Sequence, residues 1–264
     1  MNVTPDSFSD GGRLRSLDDA RRHMDHLVAE GADVLDIGGE STRPQGAIPV
    51  SADEELRRVM PVIEAAIVDH PSIPVSVDTV KARVARAALE AGASIVNDVS
   101  GFRLDTEMPR VCAQGGAGVV LMHSRGDVSD MGTYVHASYG KDVVGEVTAE
   151  LATRVDCAER AGIPRARIVV DPGIGFSKRG EHSLAVLARL DGLAALGLPV
   201  LVGVSRKRFI GELTGVAAPA ERLGGTVGAN VAALERGALL FRVHDVKPNR
   251  DAVDVAWAIM SKME

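Results

Sequence analysis

The sequence predicts an α/β protein with a (β/α)8 TIM barrel fold, and three observations support this prediction. Short β-branched runs alternate along the 264 residues with stretches whose apolar residues recur at helical spacing. The runs are apolar on both faces, as expected of parallel strands that helices cover. We count eight helical stretches but seven runs, and their order places a missing first strand directly before residue 1. This count favours the barrel over a doubly wound open sheet, which the alternation also permits.

Each element follows from a local pattern. The β-branched runs predict strands over 32–39, 73–78, 94–99, 117–123, 167–172, 199–205 and 239–246, and residues 1–3 are predicted to be the last turn of the missing first strand. The amphipathic stretches predict helices over 17–30, 52–69, 80–91, 106–114, 141–161, 183–196, 219–237 and 249–263. Several of these helices end at a glycine that suits a C-cap: Gly31, Gly92, Gly162 and Gly197. Since no linker or low-complexity segment interrupts the alternation, we expect one domain over 1–264.

A barrel that lacks one strand would expose two sheet edges and an apolar interior. We therefore expect further residues upstream of Met1, and a breached barrel is the alternative. The intact mass of the native protein separates the two, because a mass equal to that of 264 residues excludes the first. The segments 4–16 and 39–52 are rich in Gly, Pro and Ser and are expected to be loops after the first two strands.

The composition excludes several classes of function. A formal net charge of −6 lacks the basic excess of a general nucleic-acid binder, and one Trp, two Tyr and five Phe are too few for a base-stacking surface. No apolar run approaches the roughly 20 residues of a membrane span, and no secretory leader opens the chain. Cys112 and Cys157 lack CxxC spacing, as expected of free thiols in a reducing compartment. We therefore expect a cytoplasmic protein that binds neither nucleic acid nor membrane.

Polar residues gather where the predicted strands end. In chain order they are Asn2, Thr42, Arg43, Asp78, Asn97, Asp98, His123, Asp171, Ser205, Arg206, Lys207, Arg242 and His244. A single residue of this kind can be a helix N-cap, but capping does not explain polar residues at all eight strand ends. Because barrel enzymes place their reactive groups at the carboxyl ends of the strands, the pattern predicts one shared site.

The residue types divide this predicted site into two halves. Asp78, Asn97 and Asp171 combine carboxylate acceptors with an amide, which fits the N–H and NH2 groups along the edge of a pterin or guanine ring. For either aspartate alone, a helix N-cap is the alternative. The basic run 206–208, together with the cations of the last strand, predicts a phosphate site, and the absence of a GxxxxGK[ST] loop excludes a P-loop nucleotide triphosphatase. A solvated basic face is the alternative for the run.

Metal and nucleophile chemistry receive little support from the residues. Four histidines without HExxH spacing are expected at the surface: His23, His26, His70 and His182. Mg²⁺ prefers oxygen ligands and often arrives with substrate phosphates, so Asn2 is the candidate protein ligand for such an ion. Ser205 has no GxSxG elbow, and neither cysteine has an evident histidine partner, so covalent catalysis is not expected.

Eight sequence blocks carry a family resemblance. They are NVTPDSFSDGG (2–12), DIGGESTRP (36–44), SVDT (76–79), NDVSG (97–101), LMH (121–123), DPGIGF (171–176), SRKRFIG (205–211) and RVHDV (242–246). Together they resemble the dihydropteroate synthase family, in that family's order and over nearly the whole chain. The first, second, sixth and last blocks are specific, whereas SVDT or LMH alone would mean little.

The resemblance implies a (β/α)8 barrel, usually a homodimer packed through its later helices, that joins 6-hydroxymethyl-7,8-dihydropterin pyrophosphate to p-aminobenzoate with Mg²⁺ as cofactor. The residues implied to hold the pterin are Asp78, Asn97, Met122, Asp171, Gly203 and Lys207. Those implied to hold the pyrophosphate are Asn2, Thr42, Arg43, Arg242 and His244, with Asn2 also the metal ligand. Those implied around p-aminobenzoate are Phe8, Thr42, Pro44, Phe176 and Ser205. Catalysis is expected to rest on Lys207, Asp78 and Arg242.

The chain also departs from the family pattern. Arg208 stands where a small hydroxyl residue is common, and QGAIPV follows Pro44 where many members have glycine. Sulfonamides target the family, but the residues do not predict whether they inhibit this chain. Two alternatives stay open: a pterin-binding methyltransferase domain, which would leave the SRK and RVH motifs without a task, and a non-catalytic pterin-binding paralogue.

Overall fold

A computed structural model describes residues 1–3, 16–41 and 49–262 of the chain. In these residues one parallel sheet has its strands in chain order, each paired with the next. The strands are β1 (Leu35–Gly38), β2 (Val75–Asp78), β3 (Ile95–Asp98), β4 (Gly118–Met122), β5 (Ile168–Asp171), β6 (Val200–Val202) and β7 (Ala238–Phe241). A doubly wound sheet would reverse its strand order at a switch point. The predicted barrel order is therefore confirmed.

Helices alternate with these strands. They are α1 (Leu17–Ala29), α2 (Ala52–Asp69), α3 (Ala82–Ala91), α4 (Met108–Gln114), α5 (Val143–Arg160), α6 (Gly180–Ala188), α7 (Arg208–Thr214), α8 (Leu223–Leu234) and α9 (Val246–Met260). Short 3-10 segments lie at Arg165–Arg167, Leu190–Leu196 and Pro219–Glu221. Each predicted helix has a counterpart close to its expected position.

Three of these elements differ from the prediction. The stretch 183–196 holds the end of α6 and then a 3-10 segment that contains Gly192, a residue that weakens an α-helix. The stretch 219–237 begins with a 3-10 turn before α8 starts. The helix α7 was not predicted as a separate element, because seven residues span fewer than two full turns and give a weak periodic signal.

Local capping explains where several helices begin and end. Ser16 and Ser51 precede α1 and α2, and their hydroxyls accept hydrogen bonds from the backbone N–H groups of Asp19 at 3.1 Å and Glu54 at 3.2 Å. All four glycines predicted as C-caps adopt φ values between +59° and +116°. A side chain would be strained in this left-handed region, so these positions favour glycine.

The strands are short, and β1 to β6 are largely buried, whereas only the first residue of β7 is buried. One valine in each of five strands is at most 1% exposed: Val77, Val96, Val119, Val170 and Val202. Since each strand has only three to five residues, the polar residue at its carboxyl end lies close to the apolar centre. This arrangement places the predicted site at one mouth of the sheet.

A seam runs between the first and last strands. Asn2 forms a parallel bridge with Gly38, where the last turn of the missing strand was predicted. In the part of the chain that the structure describes, no pairing joins β7 to β1 or to residues 1–3. A cavity of about 760 Å³ lies along this seam, and its lining includes Leu27, Leu35, Leu239, Phe241 and Val253. The further strand that the sequence predicts stays a prediction.

The structure can be compared with two predictions from the sequence, one about membrane-spanning segments and one about the pairing of the cysteines. Within the described ranges, no helix combines the length and the hydropathy that crossing a bilayer requires. Cys112 is buried, Cys157 is partly exposed, and both are free thiols. The prediction of unpaired cysteines is therefore confirmed.

Candidate active site

The strand register brings the predicted polar residues to one end of the sheet. Gly38 pairs with Asp78, Asp78 with Asn97, and Met122 with Asp171. Each of these residues is the last or next-to-last residue of its strand. Their side chains therefore start from a common rim, where parallel strands present their carboxyl ends.

Arg242, directly after β7, joins the two predicted halves of the site. Its Nε donates to Oδ2 of Asp36 at 2.6 Å, and its Nη2 donates to Oδ2 of Asp78 at 2.8 Å. Nδ2 of Asn97 donates to the same oxygen of Asp36 at 3.2 Å. A group expected to bind an anion is thus in direct contact with the groups expected to bind a heterocycle.

Burial and charge act in opposite directions on this cluster. Burial is the largest influence on Asp78 and raises the pKa of its carboxyl to about 7, against the lowering effect of Arg242. Burial is the largest single influence on Asp36 and disfavours its charged form, but the guanidinium of Arg242, the amino group of Met1 and the hydrogen bonds to the carboxylate together outweigh it, so the pKa of Asp36 is lowered. The two carboxylates in turn raise the pKa of Arg242. At neutral pH, Asp36 is therefore ionised, whereas Asp78 is close to its titration midpoint.

Asp171 and Lys207 face each other on the other side of the mouth. The backbone N–H of Gly173 donates to Oδ1 of Asp171 at 2.7 Å. Burial raises the pKa of Asp171, while the nearby ammonium of Lys207 opposes this shift. Burial lowers the pKa of Lys207 to about 8. Gly173 has φ +66°, and a Cβ there would lie 1.9 Å from the carbonyl oxygen of His123, so this turn requires glycine.

Apolar side chains form a wall beside Asp171. Met122 is 4% exposed and belongs to a small cluster that also contains Val80, Val99, Val128 and Met131, with Phe176 packed against it. Nζ of Lys207 lies 4.0 Å from the centre of the Phe176 ring, which is a cation–π contact. Such a wall next to hydrogen-bonding groups is typical of a site for a flat, polar ring.

Gly203 and His244 lie on the β6–β7 side. At Gly203 a Cβ would come 3.9 Å from Cβ of Arg242, so the backbone passes close to that side chain. The hydroxyl of Ser205 lies 2.8 Å from Nδ1 of His244 and accepts a hydrogen bond from its backbone N–H at 3.2 Å. Burial lowers the pKa of His244 to about 4. The imidazole is therefore neutral near pH 7, and in the tautomer whose Nδ1 accepts from the hydroxyl, Nε2 carries the proton.

The basic run 206–208 does not act as one cluster. Arg206 makes two hydrogen bonds to Asp245, at 3.0 and 2.6 Å, and its own φ is +60°. The guanidinium of Arg208 lies 3.9 Å from the ring centre of Tyr134. Of the three cations in the run, Lys207 is the one whose charge acts on Asp171.

Two other polar residues at strand ends are engaged elsewhere. Asp98 accepts hydrogen bonds from the backbone and hydroxyl of Ser100 and from the backbone of Phe102, so it closes a turn. His123 is buried and lies within hydrogen-bond distance of Lys178 and Glu150. The polar residues at the strand ends therefore do not all belong to one shared site, because Asp98 and His123 hold neighbouring loops.

The structure describes only part of the predicted anion and p-aminobenzoate sites. Asn2 lies beside Gly38 at the rim. Among the described residues there is no group of three or more His, Cys, Asp or Glu that could hold a metal ion. Four predicted site residues lie outside the described residues: Phe8, Thr42, Arg43 and Pro44.

Asp36 and Lys178 were not assigned roles from the sequence. Asp36 is a single carboxylate inside the apolar run VLDIG, and burying it without a partner would be costly. That position was a signal that Asp36 has a cation nearby. Lys178 follows the DPGIGF block, and nothing in the sequence indicates that it is buried.

Comparisons with known proteins concern the family and the overall fold of this chain. The family model described as pterin binding enzyme matches residues 1–244. The dihydropteroate synthase of Mycobacterium leprae is 46% identical over 98% of this chain and 91% of that protein. The Xanthomonas albilineans dihydropteroate synthase with 4-aminobenzoic acid is 49% identical, with a TM-score of 0.90 over 98% of this chain and 90% of that one. The same enzyme in complex with 7,8-dihydropteroate is 46% identical, with a TM-score of 0.86 over 98% and 91% of the two chains.

Proposed function

This chain belongs to the pterin binding enzyme family, and we propose that it catalyses dihydropteroate synthesis. The reaction joins 6-hydroxymethyl-7,8-dihydropterin pyrophosphate to p-aminobenzoate and releases pyrophosphate. The C–O bond to pyrophosphate breaks, a C–N bond to the arylamine forms, and the amine proton passes to solvent. One observation carries the proposal: at a single mouth, Arg242 lies 2.8 Å from Asp78, so groups suited to a pterin and to a polyanion are in contact.

The acidic side of the mouth is the pterin subsite in this proposal. Asp78, Asn97 and Asp171 supply acceptors and an amide for the ring's N–H and NH2 groups. Lys207 reaches the oxo edge of the ring, and Met122 and Gly203 pack against its faces. Support comes from the register of β2 to β5 and from the apolar wall around Met122.

The cationic side is the pyrophosphate subsite. A guanidinium has five N–H donors, and two of those of Arg242 bond Asp36 and Asp78. These two bonds orient the guanidinium so that its remaining N–H donors can reach an anion. His244 presents its Nε2 proton, and Thr42 and Arg43 complete the subsite from the segment outside the described residues.

Mg²⁺ fits this subsite as an ion that arrives with its substrate. The described residues offer no carboxylate or histidine cage, since Asp36 and Asp78 already bond Arg242. Asn2 is the protein ligand that we assign, with the remaining ligands supplied by pyrophosphate and water. When bound, the ion would neutralise part of the charge on the departing pyrophosphate.

Residues of this chain stabilise both the negative charge on the leaving group and the positive charge on the pterin during the reaction. Arg242 and His244 offset negative charge on the leaving group, and preorganised groups of this kind give large catalytic effects. Asp78 and Asp171 offset the positive charge that develops on the pterin. The arylamine attacks from a subsite that we assign to Phe8, Thr42, Pro44, Phe176 and Ser205. No protein nucleophile is needed.

We also propose a cytoplasmic homodimer. Three apolar side chains of the last helix α9 are exposed, Val255 by 61%, Trp257 by 53% and Ile259 by 60%, and a second copy could cover them. The free thiols Cys112 and Cys157 suit a reducing compartment. Light scattering during size-exclusion chromatography tests the dimer, and a monomeric mass at micromolar concentration would contradict it.

Pyrophosphate release tests the proposed reaction. The protein is incubated with the pterin pyrophosphate, with and without p-aminobenzoate, and both pyrophosphate and dihydropteroate are measured. We expect equal amounts of the two products when p-aminobenzoate is present. Pterin binding without any release would favour a non-catalytic paralogue, and methyl transfer to or from a bound folate would favour the methyltransferase alternative.

A further inference from the structure

Lys178 is a charged residue buried beside the proposed pterin subsite. Its side chain is 1% exposed. Its Nζ lies 2.8 Å from Nδ1 of His123 and donates to the carbonyl oxygens of Gly173 and Phe176, each at 3.2 Å. An ammonium group has three N–H donors, and three acceptors surround it. Lys178 therefore has no donor left for a substrate.

The partners of His123 fix the protonation of this cluster. Nε2 of His123 lies 3.1 Å from Oε2 of Glu150. Burial lowers the pKa of His123 to about 4, and the hydrogen bond from His123 lowers the pKa of Glu150 to about 2. A neutral imidazole has one N–H, which must be on Nε2 to reach the carboxylate, so Nδ1 is an acceptor.

It follows that Lys178 is held in its charged form by its acceptors. A neutral amine has two N–H groups and cannot satisfy Nδ1 of His123 and two carbonyl oxygens together. Burial acts against the charge and lowers the pKa of Lys178 to about 7. The three bonds near neutral pH thus depend on a proton that is only weakly retained.

These bonds attach one loop to the end of β4. The loop 172–177 connects Asp171 with Lys178, and its Gly173 and Phe176 carbonyls point to the ammonium. A second attachment comes from Ser177, whose hydroxyl donates to the carbonyl of Arg125 at 2.7 Å and accepts from its N–H at 3.0 Å. The loop is therefore held at both its beginning and its end.

We propose that Lys178 is a positioning residue, whose ammonium group fixes the loop 172–177 so that Asp171 and Phe176 face the bound pterin and p-aminobenzoate. The inference rests on the proposed function for the identity of the ligands. It does not require turnover, because the binding of a free pterin already reports the position of Asp171.

The variant Lys178→Met keeps the length and apolar stem of the side chain and removes its charge. The probe is 6-hydroxymethyl-7,8-dihydropterin, titrated by calorimetry, with thermal unfolding as the check that the protein is folded. We expect the Kd to rise about tenfold through the loss of charge-assisted bonds, and the KM for p-aminobenzoate to rise with it. Lys141→Met, at an exposed lysine before α5, is the matched control and should behave as the native protein. A folded Lys178→Met protein with native pterin affinity would overturn the proposal.

The variant Glu150→Gln tests the charge directly and changes a residue whose side chain is 33% exposed. A glutamine amide can donate to Nε2, which lets the imidazole proton move to Nδ1 and face the ammonium. The charged groups around Lys178 are then Arg125, Asp171 and Lys207, without the carboxylate of Glu150. In the native protein, pterin affinity should fall above the pH at which Lys178 loses its proton. In Glu150→Gln this pH should be about one unit lower. In Lys178→Met this fall in affinity should be absent.

The outcomes separate the two proposals. Superimposed pH profiles for the native protein and Glu150→Gln would show that the charge of Lys178 does not position the site. Pterin binding by the native protein without release of pyrophosphate would instead contradict the proposed reaction, while the comparison of pterin affinities would still decide the role of Lys178.

Discussion

The mouth holds its carboxylates in two different ways. Near β1 and β2, Asp36 and Asp78 share the guanidinium of Arg242 through bonds of 2.6 and 2.8 Å. After β5, Asp171 is held by the backbone N–H of Gly173 and faces the ammonium of Lys207. In the first region the side chain of Arg242 compensates the charge of Asp36 and Asp78, and the two acids in turn orient its guanidinium. In the second region the backbone fixes the acid, which leaves its charge to act on a ligand.

The largest effect is expected from removing the shared cation. Arg242→Ala should lower kcat/KM for the pterin pyrophosphate about 100-fold, since two charge-assisted hydrogen bonds to an anion are worth roughly 1.5–3 kcal/mol each. Free pterin should lose much less affinity. The measurement compares steady-state kinetics with calorimetry, and Arg83→Ala, at an arginine whose side chain is 65% exposed, is the control. Equal losses for both ligands would mean that the two regions are not separate subsites.

The second prediction concerns the acid that the backbone holds. Asp171→Asn keeps the size of the side chain and replaces one carboxylate oxygen, which accepts hydrogen bonds, with an NH2 group, which donates them. We expect pterin affinity to fall at least about tenfold, because a charge-assisted bond to the ring is lost. Isothermal calorimetry with a free pterin measures this change. Native affinity in the variant would exclude contact between Asp171 and the ring.

The third prediction uses the raised pKa of Asp78, about 7 in the folded protein against 3.8 as the ordinary value. A group with a raised pKa binds more protons in the folded state, so its contribution to stability is complete below about pH 4 and is lost as the pH rises towards 7. Between pH 5 and 8, Asp78 should account for a decline on the order of 2–3 kcal/mol in the free energy of unfolding. Urea denaturation at several pH values should show a smaller decline in Asp78→Asn. An identical slope in both proteins would argue that Asp78 is ionised throughout.

The smallest effect is expected at the rim between β6 and β7. Ser205→Ala removes the hydroxyl that bonds Nδ1 of His244 at 2.8 Å. A neutral hydrogen bond is worth about 0.5–1.5 kcal/mol, so the KM for the pterin pyrophosphate should rise about two- to tenfold, with free pterin unaffected. A change confined to p-aminobenzoate would instead assign Ser205 to that subsite alone.

Much of the fold and part of the site could be predicted from local patterns. The β-branched runs 75–78 and 168–171 were predicted as strands, and both are strands that are almost entirely buried. Asp78, Asn97 and Asp171 were placed on one rim because parallel strands align their carboxyl ends. The run 206–208 shows the limit of this reasoning. Its three cations are adjacent in sequence, yet they contact Asp245, Phe176 and Tyr134 respectively.

The sequence by itself determined the order of strands and helices, the glycine caps, the family and the set of polar residues at the strand ends. These features depend on neighbouring residues and on a repeating period, which a linear pattern contains. Only the tertiary structure decided which charge compensates which. Arg242 and Asp36 are 206 positions apart, and Lys178 and His123 are 55 apart. Withdrawal from water strengthens each pairing, more at the buried Lys178 and His123 than at the partly exposed Arg242 and Asp36, and it is a property of the packed fold rather than of any one segment.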